Sequence, residues 1–348
     1  MATLDVLRGV AIVCMLIAHG MPFFWGTGVP APVAEVTQAI NDVASPLFGL
    51  VMGGAAALVW SRASVRGHWP RRVLIDIGRG VLIFAFGVLL VELETWVAVV
   101  LQVLGVLLIL GIPVAALAGV SMRPQAAARL PSRVALVAVT AGLFVLAPWV
   151  TGALVPAEER LYNGTTGGTA EIWAALMAGT SYRAVSLLPF FALGALLAAS
   201  GLAREPRRLA ALAAPTAAVL LAATLLGAGG PIELSGDPAD QLRDLVLVVT
   251  AVALVGAIVG FGGAAVEPGW RMLADLGAIA LSLYALQLIV LRPLQEVGLW
   301  QDSVAWGWVA MITLVLVPCL LMLLWRRVLG AGPLERLVAL VTGRRAAS

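Results

Sequence analysis

The sequence predicts an all-α, polytopic integral membrane protein: a bundle of about ten transmembrane helices with both termini in the cytoplasm. Three observations predict it. Only 12% of the 348 residues are charged and 61% are hydrophobic. That is about half the charged fraction of a soluble domain, which leaves too few charges to solvate a water-facing surface and makes lipid the implied solvent. Apolar runs of span length recur along the whole chain, and the arginines fall in alternate connections between those runs.

A helix needs roughly 20 mostly apolar residues to cross ~30 Å of hydrocarbon at ~1.5 Å per residue. Such runs lie at about 4–24, 44–60, 73–92, 96–119, 134–154, 184–201, 209–228, 243–263, 273–293 and 305–327. They are too long and too uniformly apolar for barrel strands, the other structure that satisfies its own backbone in lipid. The first run opens on Asp5 and Arg8 and closes on His19. An apolar stretch after an arginine superficially fits a signal peptide, but Asp5 before it and the spans after it favour a retained helix. The second run and the sixth are short and glycine-rich, which predicts close backbone packing. The third carries Asp76 and Arg79, spaced for an intrahelical ion pair. Pro113, Pro189 and Pro215 in the fourth, sixth and seventh are predicted kinks. The longest connection, 155–182, reads as a loop with a short helix around 170–177. Ser282, Tyr284 and Gln287 lie in the ninth run, which ends on Arg292. After the tenth, Leu334, Leu337 and Leu340 suit a short helix lying in the interface. Trp25, Trp60, Trp69, Trp96, Trp149 and Trp306 fall near run ends, as interfacial aromatic belts do.

Orientation follows from the arginines. Arg62, Arg66, Arg71 and Arg72, then Arg123, Arg129 and Arg133, then Arg204, Arg207 and Arg208, then Arg326, Arg327, Arg336, Arg344 and Arg345 occupy alternate connections and the tail. The intervening connections hold Glu35 and Asp42, Glu92 and Glu94, Glu233, Asp237 and Asp240, Glu296 and Asp302. The positive-inside rule then places both termini in the cytoplasm. Residues 1–348 read as a single transmembrane domain, without a soluble domain or tandem repeat.

Several function classes drop out. The net charge is +3, but the arginines form no stripe, so a nucleic-acid partner is not expected. Cys14 and Cys319 lie inside apolar runs and read as packing residues rather than a disulfide. His19 and His68 are the only histidines, which excludes a multi-histidine metal site, and no metal is expected. There is no P-loop, dinucleotide glycine fingerprint, HExxH or GxSxG. The absence of lysine and the abundance of alanine point to a high-GC bacterial genome, hence to a bacterial cytoplasmic membrane.

What remains is a set of polar groups in apolar helices, each costing ~2.5–3.5 kcal/mol or more at a span centre unless partnered. Arg8 and His19 are 11 residues apart, which returns to within ~20° on a helix and separates them by ~16 Å along its axis. They form one stripe, either as a polar path between the two faces or as two interfacial residues. Asn41 and Asp42 open the second run at the level of His19. A carboxylate beside an imidazole fixes its tautomer and raises its basicity, and Asp42 is equally suited to a helix N-terminus. Tyr284 and Gln287, at i and i+3, could line a cavity.

The segment Leu4-Asp5-Val6-Leu7-Arg8-Gly9-Val10-Ala11-Ile12, with Met15 and His19 beyond it, resembles the first helix of a membrane acyltransferase superfamily, which includes the acyltransferase-3 family and the heparan-α-glucosaminide N-acetyltransferase family. Asn41-Asp42-Val43-Ala44-Ser45-Pro46-Leu47-Phe48, followed by Met52-Gly53-Gly54, resembles the second-helix motif of the latter. Ala278-Ile279-Ala280-Leu281-Ser282-Leu283-Tyr284 resembles a late-helix signature of the superfamily. Gly332-Pro333-Leu334-Glu335-Arg336 resembles a C-terminal motif of related bacterial membrane proteins. Two departures stand out: Gln287 occupies a position where many relatives carry histidine, and the 27–43 stretch holds no histidine, so His19 would have to act.

The resemblance implies transfer of an acyl group, often acetyl, from cytoplasmic acyl-CoA to an acceptor hydroxyl or amine on the outer face, the acceptor being a sugar or lipid-linked glycan. It makes His19, with Asp42 and Asn41, the catalytic group, acting as general base or as acyl carrier. Acyl-CoA binding would fall to Arg8, Asp5, Arg79, Arg71, Arg72, Tyr284, Gln287 and Ser282, with arginines on the phosphates. A transporter or lipid flippase without acyl-transfer chemistry is the alternative reading. The oligomeric state stays open, a homodimer included.

Overall fold

A computed structural model describes residues 2–24, 31–62, 68–123, 126–162, 176–177, 183–230, 232, 235–298 and 303–342. Among these residues every regular element is helical. In chain order they are α1 (Ala2–Gly20), a 3-10 turn (Met21–Phe24), α2 (Ala31–Trp60), α3 (Trp69–Val91), α4 (Leu101–Leu110), α5 (Ile112–Ser121), α6 (Ala126–Tyr162), α7 (Ala184–Ser200), a second 3-10 turn (Leu202–Arg204), α8 (Pro206–Leu225), α9 (Pro238–Phe261), α10 (Gly263–Ala278), α11 (Ala280–Val297), α12 (Val304–Leu329) and α13 (Pro333–Val341).

Among the described residues, seven helices are long and apolar enough to cross a membrane, and nine if each of two bent pairs counts as one span. The 17-residue α7 is apolar but shorter. Two of the expected spans are broken. The fourth breaks at Gly111, where α4 and α5 meet at 50°. Pro113 sits in the first turn of α5, where its missing N–H removes no helical hydrogen bond. The ninth breaks more sharply, with α10 and α11 meeting at 81°. Glu267, Arg271 and Asp275 make α10 amphipathic, and arginines meet the chain near both its ends. Just before it, Gly260 O accepts from Arg207 Nε at 2.7 Å. Near its other end, Asp275 pairs with Arg326 at 2.6 Å. Helices α7 and α8, by contrast, run on through Pro189 and Pro215.

The second helix starts well before the predicted boundary. Residues 31–43 add helical turns whose side chains are mostly exposed, and these turns carry Gln38, Asn41 and Asp42. Helix α6 likewise runs on to Tyr162, into the connection read as a loop. Most of the short helix expected around 170–177 lies outside the described residues, as do Trp25 and Arg66. The C-terminal surface helix forms as α13, with Leu337 and Leu340 exposed.

Helix α1 is the axis of the bundle: Leu7, Ala11, Ile12 and Leu16 on it are fully buried. Glycines let backbones touch around it. A Cβ on Gly9 would collide with the Leu273 carbonyl of α10, and one on Gly277 with the Asp5 carbonyl of α1. The glycine-rich second and sixth spans pack as expected. Gly53 of α2 lies on the Phe191 carbonyl of α7, and Gly194 of α7 lies on the Leu50 carbonyl of α2. With no hydrophobic driving force in lipid, such small-residue contacts supply the dispersion that holds helices together.

Candidate active site

His19, at the end of α1, is 7% exposed. Its ring sits between two residues of α11. Gln287 Nε2 lies 2.7 Å from His19 Nδ1, and the Tyr284 ring meets it edge-on at 6.3 Å between centroids. Tyr284 and Gln287 share a face because they are three residues apart. The backbone at His19 is pinned as well, its carbonyl accepting from Trp96 Nε1 at 3.1 Å. Among the described residues, one atom of the imidazole has no hydrogen-bond partner: buried Nε2. An unpartnered buried ring nitrogen is costly unless something else uses it.

Two cavities flank the His19–Tyr284 contact, the first lined by Tyr284 and the second by His19. The first, about 420 Å³, is lined by Arg8, Met15, Met52, Arg79, Val100, Tyr284 and Glu335 among others. The second, about 580 Å³, is lined by Ala18, His19, Asn41, Asp42, Ser45, Trp96, Ala98, Asp240, Arg243 and Asp244 among others. Three elements contribute to both, and the linings lie within a turn of each other. Met15 gives way to Ala18 on α1, Phe48 to Pro46 on α2, and Val100 to Ala98 before α4. The cavities are stacked end to end, one toward the arginine-rich end of the bundle and one toward the opposite end, with His19 and Tyr284 at their junction.

The predicted residues divide accordingly. Arg8 and Arg79 line the first cavity, each beside a carboxylate, Arg8 at 3.5 Å from Asp5 and Arg79 at 3.7 Å from Asp76. Arg8 also reaches the Gly277 carbonyl at 3.5 Å. Arg71 is exposed and off the lining. Arg72 is buried and also off it. It forms a bidentate pair with Asp76, Nε at 2.8 Å and Nη2 on the other oxygen, while Trp60 Nε1 donates to the same carboxylate at 2.9 Å. Asp76 thus belongs first to Arg72, and the expected Asp76–Arg79 pair is the looser one.

Ser282 is occupied structurally. Glu335 of α13 accepts from Leu281 N at 2.8 Å, from Ser282 N at 3.1 Å and from the Ser282 hydroxyl. A carboxylate there satisfies the orphan donors of the α11 N-terminus and its partial positive charge. At the other end of α11, Arg292 donates to the carbonyls of Leu93 and Glu94, each at 3.0 Å. That anchors the α3–α4 connection.

The orienting partner of His19 is Gln287 rather than Asp42. Among the described residues no hydrogen bond joins His19 to Asp42, whose partners are Arg243 at 2.8 Å, Gln38 at 2.6 Å and Asn41 at 3.2 Å. Asn41 and Asp42 nevertheless line the same cavity as the imidazole. Sequence reasoning missed Arg243, Asp244, Glu335 and the bonding role of Trp96. A signal existed for the first two: Asp240, Arg243 and Asp244 repeat at i, i+3 and i+4, one polar face entering an otherwise apolar run. None existed for Trp96, whose indole differs from a belt tryptophan only in what it meets.

A family model described as an acyltransferase domain, that of the acyltransferase-3 family, matches residues 1–324. The chain belongs to the acyltransferase-3 family. It is therefore a multi-pass membrane protein with the fold of an acyltransferase, and His19, Tyr284 and Gln287 all fall within the matched residues. The match lends no support to the heparan-α-glucosaminide N-acetyltransferase likeness. No curated protein matches the acyltransferase chain.

Proposed function

We propose that this acyltransferase moves an acyl group, acetyl in the simplest case, from cytoplasmic acyl-CoA to an acceptor hydroxyl or amine on the outer face of a bacterial cytoplasmic membrane. The observation that carries the reading is a pair of cavities on either side of the Tyr284–His19 contact, the second lined by a buried imidazole whose Nε2 has no partner among the described residues. A transporter would need one substrate-sized chamber offered alternately to each face. An acyltransferase needs two half-sites and a base between them.

In this reading the arginine-rich end faces the cytoplasm, with both termini there. Arg8 and Arg79, beside Asp5 and Asp76, hold the anionic part of the donor, and its thioester arm runs through the apolar first cavity toward Tyr284. The ~16 Å rise from Arg8 to His19 is the distance the arm spans. The acceptor enters the second cavity, past Asn41 and Asp42, and its O–H or N–H faces His19 Nε2. The imidazole takes that proton as the acceptor attacks the thioester carbonyl. The C–S bond breaks, and the thiolate leaves and is protonated by the imidazolium, so that ester or amide and free thiol are formed. For Nε2 to be basic, the proton of the neutral ring resides on Nδ1 and the Gln287 amide presents its carbonyl oxygen to it. Glutamine offers a carbonyl and an NH₂ from one position, so it holds the ring in either tautomer. The acceptor is a small glycan or the sugar of a lipid-linked one.

The test is transfer of label from acetyl-CoA by the full chain in nanodiscs, with His19→Ala beside the wild type. Removing a general base lowers the rate by about 10²–10⁴-fold, while the thermal unfolding profile stays cooperative. Undiminished transfer by a folded His19→Ala protein refutes the assignment.

A further inference from the structure

The second cavity, not the first, carries the information about what is acylated, and the inference rests on the acyltransferase reading above. We infer that its acceptor is a cation: a small polyhydroxylated molecule with a protonated amine, acylated on a hydroxyl.

Three carboxylates and two guanidinium groups line this cavity: Asp42, Asp240, Asp244, Arg183 and Arg243. With His19 neutral and all five ionised, these described side chains sum to one net negative charge. Arg243 is committed to Asp42 at 2.8 Å, and Asp240 accepts from Gly236 N at 2.6 Å. Asp244 lies one turn along α9 from Asp240 and lines the same cavity. It shares the cavity lining with both other carboxylates and with the two arginines. The second and independent observation is His19 itself, nine-tenths buried, with Nε2 unpartnered on the same cavity.

A small inorganic cation is a poor fit. Among the described residues no group of three His, Cys, Asp or Glu side chains converges closely enough to hold a metal ion. A spread of carboxylates over about 580 Å³ suits an organic ammonium, whose hydroxyls also find Gln38, Asn41 and Ser186 on the lining. An anionic acceptor, such as a phosphosugar or uronic acid, would meet Asp244 and Asp240 as like charges. The protonated amine is not nucleophilic, so the group presented to His19 is a hydroxyl. Its O–H proton passes to Nε2, its oxygen bonds to the acyl carbon, and the donor leaves as a thiol.

The experiment uses three matched pyranoses, glucosamine, glucose and glucuronic acid, titrated by calorimetry into the full chain in nanodiscs below the amine's pKa. Each is then offered as acceptor with acetyl-CoA. A charge-assisted hydrogen bond in a partly enclosed site predicts that glucosamine binds about tenfold or more tighter than glucose, with glucuronic acid weakest and the acetyl group on oxygen. Asp244→Asn removes the advantage of glucosamine and leaves glucose unchanged. Asp244→Glu, which keeps the charge, restores it, and Asp240→Asn reads the same question if the first variant does not fold. Equal affinities, a preference for glucuronic acid, or an Asp244→Asn protein that still favours glucosamine overturns the inference. Binding order reports on the cavity and His19-dependent transfer on the chemistry. A cationic preference without any transfer therefore sinks the proposed activity and spares this assignment, and transfer without the preference does the reverse.

Discussion

Gln287→Met removes the one side chain among the described residues that hydrogen-bonds the His19 ring, while keeping its length and most of its volume. Gln287 is fully buried and lies 2.7 Å from Nδ1, so methionine leaves both ring nitrogens without partners in a site water does not easily reach. An unsatisfied buried polar group costs about 1–3 kcal/mol, and the variant should unfold at a correspondingly lower temperature in detergent. The effect on rate follows from orientation. With Nδ1 unbonded, the ring turns about its side-chain torsions and its neutral tautomers are no longer held, so only a fraction of molecules direct a basic Nε2 at the acceptor. A loss of about 1.4–2.8 kcal/mol of transition-state stabilisation is a ten- to hundredfold fall in kcat, with the donor KM unchanged because Arg8 and Arg79 are untouched. Gln287→Glu retains an acceptor for Nδ1–H and should recover most of the rate. The assay is initial-rate transfer from labelled acetyl-CoA at saturating donor, alongside thermal unfolding. A Gln287→Met protein within about twofold of wild-type kcat would refute the claim that this hydrogen bond positions the base.

Three further outcomes test the architecture. Asp76→Asn strips the countercharge from Arg72, whose side chain is 8% exposed, and breaking a buried pair on one side costs about 3–5 kcal/mol; it should appear as loss of folded protein in detergent, read by size-exclusion recovery after heating. Glu335→Ala uncaps α11, at about 0.5–2 kcal/mol, and frees α13; proteolysis near Pro333 should accelerate well before the bundle unfolds. Gly53→Ala places a methyl group on the Phe191 carbonyl and should cost about 1–3 kcal/mol or more through overpacking, whereas Gly78→Ala, with nothing within 4 Å of the added carbon, should be neutral by the same thermal assay.

How much of this was legible in the residues can be judged case by case. Arg8 and His19 were readable as a stripe because helical spacing is a local property and an isolated helix already has it. Gln287 was readable as a cavity-facing group at i+3 from Tyr284, but its bond to His19 spans 268 residues of sequence, and nothing local encodes such a partner. The Asp42 pairing failed for the same reason: a carboxylate at the right depth was in view, while Arg243 arrives from α9, and opposite charges in lipid take each other before either takes a neutral ring. Glu335 looked like part of a surface helix, and Trp60 and Trp96 looked like belt residues. Only the packing of α13 on α11, the approach of α2 to α3 and that of the α3–α4 connection to α1 bring them to a helix N-terminus, a buried carboxylate and a backbone carbonyl.

The sequence by itself determined the solvent, the helical class, the position of most apolar runs and the stripe that ends in His19, because hydropathy and a period of 3.6 residues act within one segment. Only the tertiary structure decided that the ninth run breaks at Ile279, that Gln287 holds the ring, that Arg72 is lost to Asp76, and that two cavities flank the Tyr284–His19 contact. Those outcomes depend on which helices touch, and in a bilayer that choice is made by glycine contacts and polar pairs between segments far apart in the chain rather than by the apolar surface they all share.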